Sequence, residues 1–177
     1  MNKINSFSIA ALLTLSLASC GDSDGDSNSR VVNAELSDNV IQVGESSVFR
    51  MGLEYSGRSG LFNNPDDISL VVLVPAGLSY KNGTAEIQRS IEDKGVDPVV
   101  TNCATGEQYL DFRLDGDDLV QGSDPSGSAD VEVSLTIEAT SPVGIAILQA
   151  TADRNQPLFS CGSLFAGDVE ESIQIVP

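Results

Sequence analysis

The densest set of groups able to do chemistry in this chain is a run of aspartates, Asp115, Asp117 and Asp118, with Asp124 close behind in a Gly- and Ser-rich stretch. Loop carboxylates at this spacing can hold calcium. More commonly they form a solvated turn between strands, so calcium stays a candidate and no cofactor is expected. Carboxylates in pairs can also hydrolyse glycosides. Nothing in the sequence marks a cleft to hold them, so a carboxylate-based glycoside hydrolase is the remotest reading.

The absence of histidine narrows the chemistry further. It removes the usual general base, the usual zinc ligand and the usual pH switch. No Ser-His-Asp or Cys-His arrangement can be assembled within the chain. A Ser-Lys dyad would have to use Lys81 or Lys94, both beside turn residues and expected in solvent. Sugar sites usually stack rings on Trp or Tyr; there is no Trp, and the tyrosines are Tyr55, Tyr80 and Tyr109. A non-enzymatic protein is therefore expected.

Charge limits the partners. The chain carries 26 Asp and Glu against 9 Lys and Arg, a net −17. Such a surface repels nucleic-acid phosphates and anionic head groups, which excludes DNA and RNA. Basic proteins, amines and divalent cations remain allowed. Acidity of this kind also keeps an exported domain soluble.

The elements that must position any site begin after residue 30. Residues 1–19 have the three parts of an export signal. Lys3 supplies the positive start, and Ile9 to Leu17 the apolar middle. That middle is shorter than the roughly 20 residues of a permanent span. It ends in Leu17-Ala18-Ser19-Cys20-Gly21, which resembles a bacterial lipobox. The resemblance implies a diacylglycerol thioether on Cys20, cleavage before it, and a further acyl chain on the freed amino group. Several chains on one residue anchor stably to a membrane where one does not. Gly21 follows the cysteine where the simplest inner-membrane retention signal has Asp, which favours the outer membrane.

Residues 20–30 read as an acidic, flexible tether. Asp22, Asp24 and Asp26 match the opening of a calcium-binding EF-hand loop, but Ser27 and Asn33 occupy the positions that need Gly and Glu.

From 31 to 177 the pattern is that of strands in a single domain. In Ala129–Ala139, Val131, Val133, Leu135 and Ile137 alternate with Glu132, Ser134, Thr136 and Glu138. A slip of one residue would bury carboxylates, so the register is firmly set. Ser47–Tyr55 and Tyr109–Leu114 repeat the alternation, the latter placing Asp111 and Arg113 outward. Ile68–Val74 and Val143–Ala152 are apolar on both faces, as in central strands or strands covered by loops. Val169–Val176 is a candidate edge strand. Gly, Pro and Asn clusters punctuate these runs, with Asn82-Gly83-Thr84 expected as a hairpin turn rather than a glycosylation site. The expected fold is all-β, an antiparallel sandwich or barrel.

Several of these segments together resemble a known pattern. Val43-Gly44-Glu45 before a strand, Val74-Pro75-Ala76-Gly77-Leu78-Ser79-Tyr80, then YLDFRLDGDDL and SADVEVSLTIEAT resemble the immunoglobulin-like domains of bacterial surface proteins, of the conserved repeat (DUF11-like) class. The resemblance covers about Val40 to Ala152. It implies an immunoglobulin-like β-sandwich in which the Pro75–Tyr80 stretch leaves a central strand and enters an edge. The stretch from Glu92 to Gly106 has no counterpart in that pattern.

With Cys20 assigned to lipid, Cys103 and Cys161 are an even pair in an exported chain and are expected to form a disulfide. The whole reads as an exported, lipid-anchored envelope or cell-surface protein with a structural, adhesive or binding role. The alternative is a periplasm-facing accessory subunit with an envelope protein as its partner.

Overall fold

The computed structural model describes residues 28–56, 67–88, 93–115, 119, 128–153, 159–162 and 164–177. The expected signal peptide and Cys20 lie outside these residues.

Among the described residues twelve strands follow one another. They are β1 (Asn28–Leu36), β2 (Val40–Gln42), β3 (Ser46–Ser56), β4 (Ile68–Val74), β5 (Leu78–Tyr80) and β6 (Glu86–Gln88). After these come β7 (Lys94–Gly95), β8 (Val99–Asn102), β9 (Gln108–Leu114), β10 (Ser128–Ala139), β11 (Gly144–Asp153) and β12 (Val169–Val176).

They form two sheets. Sheet A runs β1-β3-β10-β6-β7, with β5 also on β10; sheet B runs β2-β12-β11-β4-β9-β8. The inner faces meet in one core. β3 contributes Phe49, Met51 and Leu53, and β10 contributes Val131, Val133, Leu135 and Ile137, all buried. Across from them lie Leu70 and Val72 of β4, Leu110 and Phe112 of β9, Leu148 of β11 and Ile173 of β12. Period-two alternation on β10 and β3 thus becomes one wall of the core.

The strand order decides the fold. β1, β3, β10 and the β5–β6 pair on one sheet, facing β12, β11 and β4 on the other, reproduce the seven-strand arrangement of an immunoglobulin-like sandwich. β2 adds to it by pairing parallel with β12, Val40–Gln42 running beside Gln174–Val176. The hairpin β8–β9 adds to it beside β4.

Four details depart from the sequence reading. The Asn82-Gly83 turn does not close a hairpin: β5 and β6 both pair with β10, at Ile137–Ala139 and Glu132–Ser134. The chain steps sideways and continues in the same direction. Thr84 makes this possible, its Oγ1 donating to Lys81 O (2.7 Å) and accepting from Thr136 N (3.0 Å) where the ladder is interrupted. β12 is not an outer edge along its whole length, because β2 covers Gln174–Val176. The tether reading runs too far, since Asn28–Arg30 already pair with Glu54–Ser56. Asp111 faces away from the core as expected yet is buried, its side chain only 7% exposed.

The stretch without counterpart, 92–106, supplies β7, β8 and the turn into β9. The Pro75–Tyr80 segment leaves β4, central in sheet B, and enters β5 on sheet A.

Candidate functional site

Residues 159–162 and 164–167 bring two aromatic rings against β9, two residues from the buried Asp111. Phe159 stacks on Tyr109 with ring centroids 6.0 Å apart, and Phe165 meets both rings edge-on. Tyr109 points outward from sheet B, opposite in phase to the core residues Leu110 and Phe112. The segment therefore crosses the outer face of sheet B as a strap. On the same outer face Tyr109 is buried, as are Val71, Asp111 and Thr151, which stand in one row of the ladder. Ser69 Oγ donates to Asp111 Oδ1 and Arg113 to Oδ2, each at 3.1 Å, so the buried carboxylate is paired and hydrogen-bonded. Burial under the rings, with the charge of Glu107 adding to it, raises the Tyr109 phenol above its ordinary value.

A disulfide holds the strap. Cys103, just after β8, bonds to Cys161 with Cα atoms 5.5 Å apart. It joins two segments on one side of the molecule and does not cross between the sheets.

Asp168, which the sequence reading did not single out, closes the other side. Its Oδ2 accepts from Val31 N of β1 and from Ala152 N of β11, both at 3.1 Å. One carboxylate thus ties sheet A to sheet B. A bulge between Val31 and Asn33 accompanies this on β1. No sequence signal marks Asp168, since an Asp after Ala-Gly reads as an ordinary turn.

Of the other expected site residues only some are described. Asp115 follows β9, its carbonyl accepting from Leu119 N, while Asp117, Asp118 and Asp124 lie outside the described residues. Among the described residues no group of three metal-ligating side chains occurs. Lys81 and Lys94 are exposed. Tyr80 is core, and the side chain of Tyr55 is outside the described set. Carboxylates do share one groove, about 450 Å³ in volume, lined by Glu35, Asp38 and Glu171 with Leu36 to Val40 between them. It lies open along the seam between β1 and β12, and Glu35 and Asp38 are exposed. Such a groove lacks the water-excluding walls that raise the pKa of a glycosidase acid.

The remaining candidate is a face. On sheet B beyond the strap, Ile145 is 73% and Ile147 47% exposed on β11, and Val40 is 54% exposed on β2.

No protein-family model matches the chain, and no curated protein matches it. Among solved structures it is similar to AvmM, described as catalysing macrocyclization in alchivemycin A biosynthesis, at 15% identity, TM-score 0.42, covering 85% of this chain and 88% of that one. It is similar to the collagen-binding domain of the Erysipelothrix rhusiopathiae surface protein RspB, at 10% identity, TM-score 0.41, covering 75% and 42%. It is also similar to the fimbrial protein FimP of Actinomyces oris, at 9% identity, TM-score 0.42, covering 64% and 28%. At these values no function transfers; the sandwich assignment stands on the strand order above.

Proposed function

We propose that the chain is a lipid-anchored, non-enzymatic envelope protein whose sandwich is a binding module, with the outer face of sheet B as its contact surface. The bare apolar row on that face carries the reading. Val40, Ile145 and Ile147 are in water, as are Val32, Val43, Val99, Val143 and Leu164, but these three are joined through neighbouring positions of the β2–β12–β11 ladder on one face. An apolar patch maintained on a soluble face is characteristic of an interaction site.

Export and anchoring rest on the Lys3-to-Cys20 signal pattern and on the Cys103–Cys161 disulfide, a bond that persists in oxidising compartments. A tether of residues 20–27 would deliver the domain at Asn28, at the end of the sandwich holding Ser56 and Ser128. β2 and the Gly77 turn then lie at the far end, away from the membrane.

Mass spectrometry of the amino-terminal peptide from membrane fractions tests the anchor. The expected result is acylated Cys20 as the first residue, with Cys20→Ser releasing the protein from membranes. An unmodified amino terminus elsewhere would overturn it. Protease shaving of intact and lysed cells then separates a surface domain from one facing the periplasm. Protection until lysis would favour the accessory-subunit reading.

A further inference from the structure

β12 is paired along only part of its outer edge. Gln174 N donates to Asn39 O at 2.8 Å, and Val176 O accepts from Val43 N at 3.1 Å. The main-chain groups of these two residues therefore point away from β11, toward β2 and its flanks. That direction alternates along a strand, so the N–H and C=O of Glu170 and Ser172 point the same way. No strand among the described residues meets them there: pairing with β2 begins at Gln174, and β1 belongs to sheet A. Asp168 ties β1 to sheet B just before this stretch, and β2 takes over just after it. Between the two ties the seam opens into the groove of about 450 Å³ that Glu35, Leu36, Asp38, Val40 and Glu171 help to line. Arg50 meets Glu35 from sheet A at 3.4 Å. Asp38 and Glu171 have no cation beside them among the described residues.

We propose that this edge takes an extended, basic segment of a partner protein, which adds to sheet B beside β12 as a short strand. This rests on the reading of the sandwich as a binding module and names the class of partner. Main-chain bonds to Glu170 and Ser172 hold such a strand, and its side chains set which sequence fits. Neighbours across a ladder share a face. Glu171 stands opposite Leu148, on the core side of the sheet, and Ser172 opposite Ile147, on the outer side. Inward side chains of the added strand thus meet Glu171 in the groove, where Lys or Arg is complementary. Outward ones lie beside Ser172 and the exposed Ile147, where an apolar residue fits. The partner's segment alternates basic and apolar residues. The two ties leave room for about four residues at roughly 3.3 Å each. This chain does not supply the segment: nowhere does it set two Lys or Arg residues two apart, and residues 21–27 carry three aspartates and no base. A second copy is excluded as occupant on the same ground.

The test uses the full-length chain, extracted from membranes in detergent. The probe is a short fluorescent peptide alternating Lys and Val, read by anisotropy. Binding should slow amide exchange at Glu170 and Ser172 and should weaken as salt rises. The same peptide with N-methyl groups on its main chain should not bind. Ser172→Pro removes an N–H that β11 does not use, an orientation in which an edge strand tolerates proline. It should weaken binding by about tenfold or more, as should Glu35→Gln with Glu171→Gln. Glu86→Gln with Glu138→Gln, on sheet A, removes the same charge and should leave binding within about twofold.

No binding of the alternating peptide, or equal binding of its N-methylated form, overturns strand addition. Equal weakening by the two carboxylate pairs overturns the groove and leaves only general attraction to an acidic protein. Binding without protection of Glu170 and Ser172, lost on Ile145→Glu, places the peptide on the face of sheet B. That result overturns the edge site while the binding-module reading stands. If Ser172→Pro fails to fold, the N-methylated peptide and the two carboxylate pairs decide the matter.

Discussion

Gly77→Ala should be among the most damaging single-methyl additions to this domain. Gly77 sits where the chain passes from β4 to β5 and from one sheet to the other. Its φ is +92°, a conformation that costs an L residue about 1–2 kcal/mol. A Cβ there would lie 2.7 and 2.8 Å from the two methyls of Val143 and 3.2 Å from Ser141 O. The Val143 methyls must turn away, and an off-rotamer side chain costs about 0.5–1.5 kcal/mol. Gly77 O also accepts from Thr140 N at 2.8 Å, which holds the turn against the strand end it serves and limits relaxation. The expected loss is about 2–3 kcal/mol, read from urea or thermal unfolding. Gly83→Ala is the control: φ is +73° and nothing lies within 4 Å, so only the conformational cost applies. Gly77→Ala should fall below it by about 1 kcal/mol, and Val143→Ala added to Gly77→Ala should recover that difference. Equal losses at Gly77 and Gly83, or no recovery with Val143→Ala, would refute the steric account.

Cys103→Ser with Cys161→Ser should lower stability by up to about 4 kcal/mol, since the bond closes a separation of 58 residues. Hydrogen exchange on that variant should show faster exchange near Tyr109, under the strap, than at Phe49 in the core. Asp168→Ala should cost about 1–3 kcal/mol, because Val31 N and Ala152 N lose a charged acceptor; an unchanged melting temperature would remove its role as a tie between sheets. Tyr109 has a sign that can be checked by pH. Its pKa is raised in the folded state above the ordinary 10.0, so the fold favours the neutral phenol. That contribution is complete below about pH 10 and is lost as pH rises through the folded value. Alkaline unfolding should therefore shift to higher pH in Tyr109→Phe, and an unchanged midpoint would contradict it.

Strands and core faces were legible in the residues themselves. Alternation in β10 and β3 specifies which side of each strand is buried, because the side-chain period of two leaves no other register without burying Glu132 or Glu54. An even pair of cysteines, in a chain whose first residues read as an export signal, pointed to the bond between Cys103 and Cys161. What the chain could not show locally is which element covers which. Asp111 and Tyr109 read as exposed strand residues, yet Asp111 is buried with Ser69 and Arg113 bonded to it, and Phe159 and Phe165, two strands further along the chain, pack on Tyr109. Ile145 and Ile147 read as central-strand residues, which they are, yet both stay exposed on the outer face. Asn82-Gly83 reads as a hairpin because turn chemistry is local, whereas the partner of β5 and β6 is β10, chosen by long-range pairing. The neighbour of a strand edge, and the cover on its outer face, depend on contacts distant in sequence, which local patterning does not encode and which arise only when the two sheets close on each other.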